Sequence, residues 1–269
     1  MDLVAHPLRG PVPCEGAGIV GSVRPVVVVP TYQEAENIGP LLRGVREAIP
    51  SAHVVVLDDA SPDGTGRMAE EIGAELGQVT VLHRTAKEGL GAAYREGFSW
   101  ALGQGFDVVI QMDCDLSHDP ASIPALIDRL DVPAPVQCVV GSRYVPGGST
   151  PNWPFHRRLL SRWGNRYTAA VLGLGIHDVT SGFRAYRAVS LAEIHPETTR
   201  SNGYAFMSEL ARRLANGGHE VAEVPITFLD RAYGTSKMSV TIMVESLTLV
   251  TAWGVKERVR RWRARSSRS

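Results

Sequence analysis

The chain has 269 residues, of which 44% are hydrophobic and 21% charged, with 28 Lys plus Arg against 28 Asp plus Glu. This is the composition of an ordinary globular protein with enough material for one large α/β domain or two small ones. The even balance excludes bulk charge as a guide to any partner. Three cysteines without paired or metal-type spacing argue against a disulfide framework and suit a reducing compartment.

Residues 1–24 are rich in Gly and Pro, lack the basic-then-apolar pattern of a signal peptide, and are expected to form a loose lead-in. Apolar runs then alternate with helical patterns. "VVVVP" (26–30) predicts a strand and 36–48 a helix. "HVVVLDD" predicts the next strand, 64–76 a helix, and "VTVLH" a third strand. A helix follows "EGLG", then the strand "DVVIQMD", a helix over 120–130 and the strand "QCVVGSR". Short, two-sided apolar strands separated by helices predict βαβ units and a mostly parallel sheet, with ligands at the carboxyl ends of its strands.

After about residue 145 the rhythm changes. "VPGGSTPNWP", a basic helix from His156, "DVTSGFRAYR", the helix "YAFMSELARRLAN", the strand-like "HEVAEVPITF" and the loop "LDRAYGTSK" follow in turn. This reads as a second half of the same domain, giving a nucleotide half at about 25–118 and an acceptor half at about 119–238. Residues 239–269 predict an amphipathic helix in which Val240, Val244, Leu247, Val250, Val255, Val259 and Trp262 recur at helical spacing, ending in a basic tail. That stripe either packs on the core or lies at a membrane interface. Glu245 and several Ser and Thr interrupt it as a membrane span. From Lys256 onward seven basic residues face one acid, which suits a solvated tail or attraction to an anionic surface. No aromatic-and-basic surface motif accompanies the tail, so nucleic acid is not an expected partner.

The polar clusters fall at predicted strand ends. Pro30, Tyr32 and Glu34 end the first; Asp58 and Asp59 end the second, with Asp63-Gly64 turning into a helix. Taken singly, these are also ordinary turn and N-cap chemistry. Neither cluster contains the glycine loops of dinucleotide enzymes or P-loop NTPases. Asp113 and Asp115 of "QMDCDLSHDP" end the fourth strand two residues apart, so both carboxylates can face one side. Like charges that close repel unless a cation joins them. A hard divalent ion, Mg²⁺ or Mn²⁺, held by one or two carboxylates plus substrate phosphate oxygens, meets that need.

"VVPTYQEAENI", "VVLDDASPDGT", "MDCDLSHDP", "GSRYVPGG", "NWPFHRRLLSRWGN", "TSGFRAYR" and "RAYGTSKM" occur in that order over residues 26–238. Together they resemble the inverting family 2 glycosyltransferases of GT-A fold, specifically the polyprenol- (dolichol-) phosphate mannose synthases. The resemblance implies an α/β, GT-A Rossmann-like sheet with helices on both faces. It implies transfer of mannose from GDP-mannose to a polyprenyl phosphate at the cytoplasmic face of a membrane, or on a membrane-embedded partner. It places Pro30, Tyr32, Glu34, Leu57 and Asp59 around the guanosine and Asp113 and Asp115 on the metal. Cys114 stands where relatives usually have Ala, and Ser117 would meet the metal directly or through water. Arg143, Arg157 and Ser161 would hold the acceptor phosphate. Arg231 and Lys237 would close over the donor diphosphate, so that Asp115, Arg143, Arg231 and Lys237 carry the catalysis.

The mechanism expected from charge needs no protein base, because a phosphate monoester is largely ionised near pH 7. Glu209 is the nearest candidate for one. Two rivals remain at this level: a UDP-glucose polyprenyl-phosphate glucosyltransferase, and a non-catalytic nucleotide-sugar-binding subunit.

Overall fold

The computed structural model describes residues 23–132, 134–201, 203–231 and 240–266. Strand β1 (Pro25–Thr31) leads into helix α1 (Ala35–Ala48), β2 (His53–Asp58), α2 (Thr65–Leu76) and β3 (Val79–His83). Helix α3 (Leu90–Gly103) returns the chain to β4 (Val108–Gln111), and α4 (Ile123–Asp131) leads to β5 (Cys138–Ser142). Helix α5 (Phe155–Leu172), β6 (Arg184–Arg187), the short α6 (Ala188–Glu193), α7 (Gly203–Asn216), β7 (Val221–Pro225) and α8 (Val240–Ser266) complete the fold.

The strands make one seven-stranded sheet in the order β3-β2-β1-β4-β6-β5-β7. It is parallel except where β6 runs against both β4 and β5. The alternation of side chains along β1 shows why the sheet is covered twice. Val27 and Val29 pack with Ile38, Leu41 and Leu126 of α1 and α4. Val26 and Val28 point the other way, toward Tyr94, Phe98 and Phe206 of α3 and α7. Both faces of each central strand are therefore apolar, as a buried parallel sheet requires. Gly97 lets α3 approach closely: a Cβ there would sit 2.4 Å from Val28 Cγ1 and 2.9 Å from Leu57 Cδ2.

The chain winds from β1 outward through β2 to β3, then crosses back to place β4 on the other side of β1. That reversal opens a crevice at the carboxyl ends of β1 and β4, the usual ligand position in such sheets. It brings the Pro30–Glu34 loop beside Asp113 and Asp115.

Helix α8 differs from its expected form. It is helical, but the apolar stripe does not gather on one face. Met243, Leu247, Val250, Gly254 and Glu257 turn inward, whereas Val244, Val255 and Val259 are exposed. Its inward face lies across α5 and α7. Gly254 permits the crossing, since a Cβ there would fall 2.4 Å from Val171 Cγ1 and 2.8 Å from the Val171 carbonyl oxygen. Tyr167 and Thr251 share a 2.7 Å hydrogen bond, and buried Glu257 accepts from Arg212 at 3.0 Å and Asn216 at 2.9 Å. The side chains of Val240 and Trp262 lie outside the described residues. No described helix is long and apolar enough to cross a membrane.

Candidate active site

Three strand-end loops build the site, and each bends through a left-handed non-glycine residue. Gln33 follows Tyr32 (φ 54°), Ala60 follows Asp59 (φ 53°) and Leu116 follows Asp115 (φ 60°). Such conformations are costly and persist where surrounding contacts dictate them. Here the contacts are visible. Asp58 accepts from Thr31 Oγ1 at 3.0 Å and from Ser61 Oγ at 2.6 Å. Asp63 accepts from Thr65 Oγ1 at 2.6 Å and from the Ala35 N–H at 3.2 Å. Both carboxylates lace the first loop to the second.

A cavity of about 440 Å³ opens above these loops. Of the residues singled out in the sequence, Pro30, Tyr32, Glu34, Asp59, Asp113, Cys114, Asp115, Arg143 and Arg231 line it. Leu57 does not. Its side chain is fully buried between β2 and α3, because the sheet's alternation turns it into the core. Lys237 lies outside the described residues. The cavity also holds residues that sequence reasoning passed over. Lys87 lines it, with its ammonium 3.9 Å from the centre of the Tyr32 ring. Buried Arg84 pairs with Asp59, and also donates to Glu88 at 2.7 Å and Glu96 at 2.8 Å. Burial pushes the Asp59 carboxyl up despite its hydrogen bond from Arg84.

Asp113 and Asp115 occupy different surroundings within one cavity. Asp113 accepts a 2.9 Å hydrogen bond from the hydroxyl of fully buried Tyr94. Gly182 abuts it, since a Cβ there would come 3.3 Å from Asp113 Oδ2. Burial raises its pKa, and the neighbouring Asp115 raises it further, against an opposing pull from His118. Asp115 accepts from the Ser117 N–H at 3.1 Å and from Arg231 Nη2 at 3.0 Å. Arg231 also lies 3.7 Å from Glu34. The donor set fits a hard divalent cation: two carboxylates face one cavity, and one of them is destabilised in its charged form by burial and by the other. Among the described residues no group of three or more His, Cys, Asp or Glu could hold a metal alone. Substrate oxygens would have to complete the coordination, as Mg²⁺ commonly requires.

A second cavity of about 370 Å³ lies between α5 and α8. Its apolar wall includes Trp153, Leu160, Trp163, Leu247 and Val250, and Arg157, Ser161 and Ser117 supply polar groups. Arg157 stacks 3.9 Å from the Trp153 ring centre and donates to Asp230 at 2.8 Å. The Ser161 hydroxyl accepts from Tyr144 at 2.6 Å. Asp115, Arg143, Thr180, Phe228 and Arg231 line both cavities, so the two share a wall.

Arg143 is held in that wall. Its Nε and Nη2 grip the two carboxylate oxygens of Asp178 at 2.7 and 2.6 Å, and Nη2 also donates to Thr180 at 3.0 Å. The sequence contains Asp178 and Thr180 within "DVTSGFRAYR" but carries no local signal that they meet residue 143. Glu209 lines neither cavity; it pairs with Arg213 at 2.9 Å and accepts from the Ser201 N–H at 3.1 Å.

This doubly covered, mostly parallel sheet, with an acidic β4 terminus at its reversal point, has the GT-A architecture found in glycosyltransferases. The sequence profile of glycosyl transferase family 2 matches residues 26–194, and the chain belongs to that family. It is 46% identical over 241 residues to the polyprenol monophosphomannose synthase of Mycolicibacterium smegmatis, covering 89% of this chain and 90% of that protein. It is 44% identical over 243 residues to the undecaprenyl-phosphate mannosyltransferase of Micrococcus luteus, covering 90% and 99%. Among solved structures, glucosyl-3-phosphoglycerate synthase from Mycobacterium tuberculosis with Mg²⁺ and uridine diphosphate shares the fold, with a TM-score of 0.62 at 18% identity over 86% of this chain and 80% of that one.

Proposed function

We propose that this chain transfers mannose from GDP-mannose to a polyprenyl phosphate with inversion at the anomeric carbon, releasing GDP. The observation that carries this reading is the shared wall of Asp115, Arg143, Thr180, Phe228 and Arg231 between a cavity bordered by the acidic strand ends and a second one bordered by Trp153, Trp163 and aliphatic side chains of α5 and α8. A nucleotide sugar suits the first and a lipid phosphate the second, and both reacting groups would meet at the wall. The two curated relatives, named for mannosyl transfer to polyprenyl phosphates, support the same assignment.

Asp113 and Asp115 would hold Mg²⁺ or Mn²⁺, which when bound neutralises charge on the donor diphosphate. Arg231 stands beside Asp115 and adds positive charge to the same place. Tyr32 and Lys87 offer a ring and a cation at the nucleotide end. Arg143, Arg157 and Ser161 orient the acceptor phosphate. That phosphate is a monoester with a second pKa near 6, so its attacking oxygen needs no proton removed at neutral pH. Glu209, the carboxylate considered as a base, is tied to Arg213 and Ser201 away from both cavities. What remains for the protein is alignment of an in-line displacement and exclusion of water, for which well-oriented groups are worth several orders of magnitude in rate.

The lipid chain requires contact with a membrane, and α5 supplies a surface beside the second cavity. Phe155, Leu159 and Trp163 are exposed there, next to the exposed Arg158, Arg162 and Arg166. We assign peripheral contact with the cytoplasmic membrane face to this helix, directly or through a membrane-embedded partner.

Transfer of labelled mannose from GDP-mannose to a short polyprenyl phosphate, with Mg²⁺ and then with EDTA, tests the reading. A mild-acid-labile mannolipid that disappears with EDTA and in Asp115→Ala is expected. Product from UDP-glucose alone would overturn the sugar, and nucleotide binding without transfer from either donor would overturn the enzyme.

A further inference from the structure

Thr180 lines both cavities, and its hydroxyl is oriented by its neighbours. Two donors converge on Oγ1: Nη2 of Arg143 at 3.0 Å and Nδ2 of Asn165 at 3.1 Å. Neither can accept in return. A guanidinium has donors alone. The Asn165 amide is fixed in direction because its Oδ1 takes the Thr180 N–H at 3.0 Å, which turns Nδ2 toward the hydroxyl and the Ser161 carbonyl oxygen. With both lone pairs of Oγ1 engaged, the hydroxyl proton has to leave in the remaining direction. Among the described residues no acceptor takes it.

The scaffold behind this hydroxyl is buried and hydrogen-bonded. Asn165 is 1% exposed, and Asp178, which grips Arg143 with both oxygens, is fully buried. The charge of Arg143 is thus already matched by Asp178. A phosphate arriving at the shared wall presents acceptors alone and requires donors. We propose that the Thr180 hydroxyl donates to a non-bridging oxygen of the acceptor phosphate, with Asn165 and Arg143 as the positioning residues that aim it. The inference rests on the acceptor being a phosphomonoester, as proposed above. The acceptor rather than the donor is assigned because Arg143, Asn165 and Thr180 all line the cavity between α5 and α8, while Asn165 and its bonded neighbour Ser161 line that one and not the other.

Thr180→Val keeps the shape and removes the hydroxyl, whereas Thr180→Ser keeps the donor. Initial rates of mannolipid formation by the full chain are measured with each substrate varied in turn, beside thermal melts of every variant. A hydrogen bond to a charged group corresponds to roughly a tenfold to hundredfold effect. The expected result is a rise of that size in KM for polyprenyl phosphate in Thr180→Val, a donor KM within about twofold of the parent, and recovery in Thr180→Ser. An unchanged acceptor KM, an equal loss toward both substrates, or a Ser variant as weak as Val would overturn the proposal. If the Val variant does not melt cooperatively, Thr180→Ala is read against Thr180→Ser by the same criteria. Calorimetric binding of the short polyprenyl phosphate to the parent and Thr180→Ser, against Thr180→Val or its Ala replacement, needs no sugar donor. Failure of the parent to use GDP-mannose would therefore sink the assigned reaction, while the same tenfold or greater binding difference would still uphold the Thr180 contact and its absence would end it.

Discussion

The side chain of Arg143 is 8% exposed, and that of Asp178, which it grips, is fully buried. A pair this deep adds little net stability by its existence, since both charges lose their water, but removing one partner strands the other. Asp178→Ala is expected to lower unfolding free energy by roughly 3–5 kcal/mol in urea titrations. A loss below about 1 kcal/mol would mean that Arg143 finds other partners once Asp178 is gone. Glu209 gives a pH signature. Burial alone would raise its carboxyl, but hydrogen bonds from Ser201 and Arg213 outweigh burial and hold it below its ordinary 4.5. A depressed carboxylate contributes stability that is present above the unfolded value and is lost as pH falls through the folded one. Melts of the parent and Glu209→Gln between pH 6 and 3 should converge below about pH 4.5, with the Gln variant the less pH-sensitive. Parallel curves would refute the assignment.

At the scale of elements, α8 completes the second cavity because it crosses α5 at a glycine. The space at Gly254 is already taken by Val171 Cγ1 and its carbonyl oxygen, so any larger side chain has to move a helix. Overpacking of this kind costs about 1–3 kcal/mol. Gly254→Leu should lower Tm and expose α8 to limited proteolysis while leaving nucleotide binding intact, since the 440 Å³ cavity is built chiefly from strand ends. Helix α5 presents the opposite case, an outward apolar run that no described element covers. Liposomes with anionic lipid should float the parent chain, and the pair Phe155→Ser with Leu159→Ser should weaken flotation severalfold. Equal flotation of parent and variant would move the membrane contact elsewhere.

At the scale of the molecule, the two cavities are products of topology. The reversal between β3 and β4 sets the acidic pair beside the β1 loop, and the loop before antiparallel β6 brings Thr180 to the shared wall, with Asp178 behind Arg143 and Gly182 against Asp113. The seven-stranded sheet draws β1 to β4 from the first half of the chain and β5 to β7 from the second, so both cavities rest on one continuous sheet.

Much of this was legible in one dimension. Apolar runs bounded by turn formers marked β1 to β5, most clearly where both faces of a parallel strand are buried, whereas β6, the short antiparallel RAYR, carried no apolar run and was not read as a strand. The acids and Pro-Thr turns at their ends were legible for the same reason: they stop a buried run where the chain meets water. Side-chain direction was less accessible. Leu57 follows a strand register that points it into the core, and the apolar residues of α8 divide between two faces according to where α5 and α7 lie. Contacts between residues far apart in sequence left no local trace at all. Tyr94 reaches Asp113, Arg84 reaches Asp59, and Asp178 with Asn165 fixes Arg143 and Thr180, across separations of 15 to 35 residues. Periodicity reports whether a side chain is buried, since burial is an average over many neighbours. Which atom a donor meets depends on the particular packing of the folded chain, and the tertiary structure alone decides that.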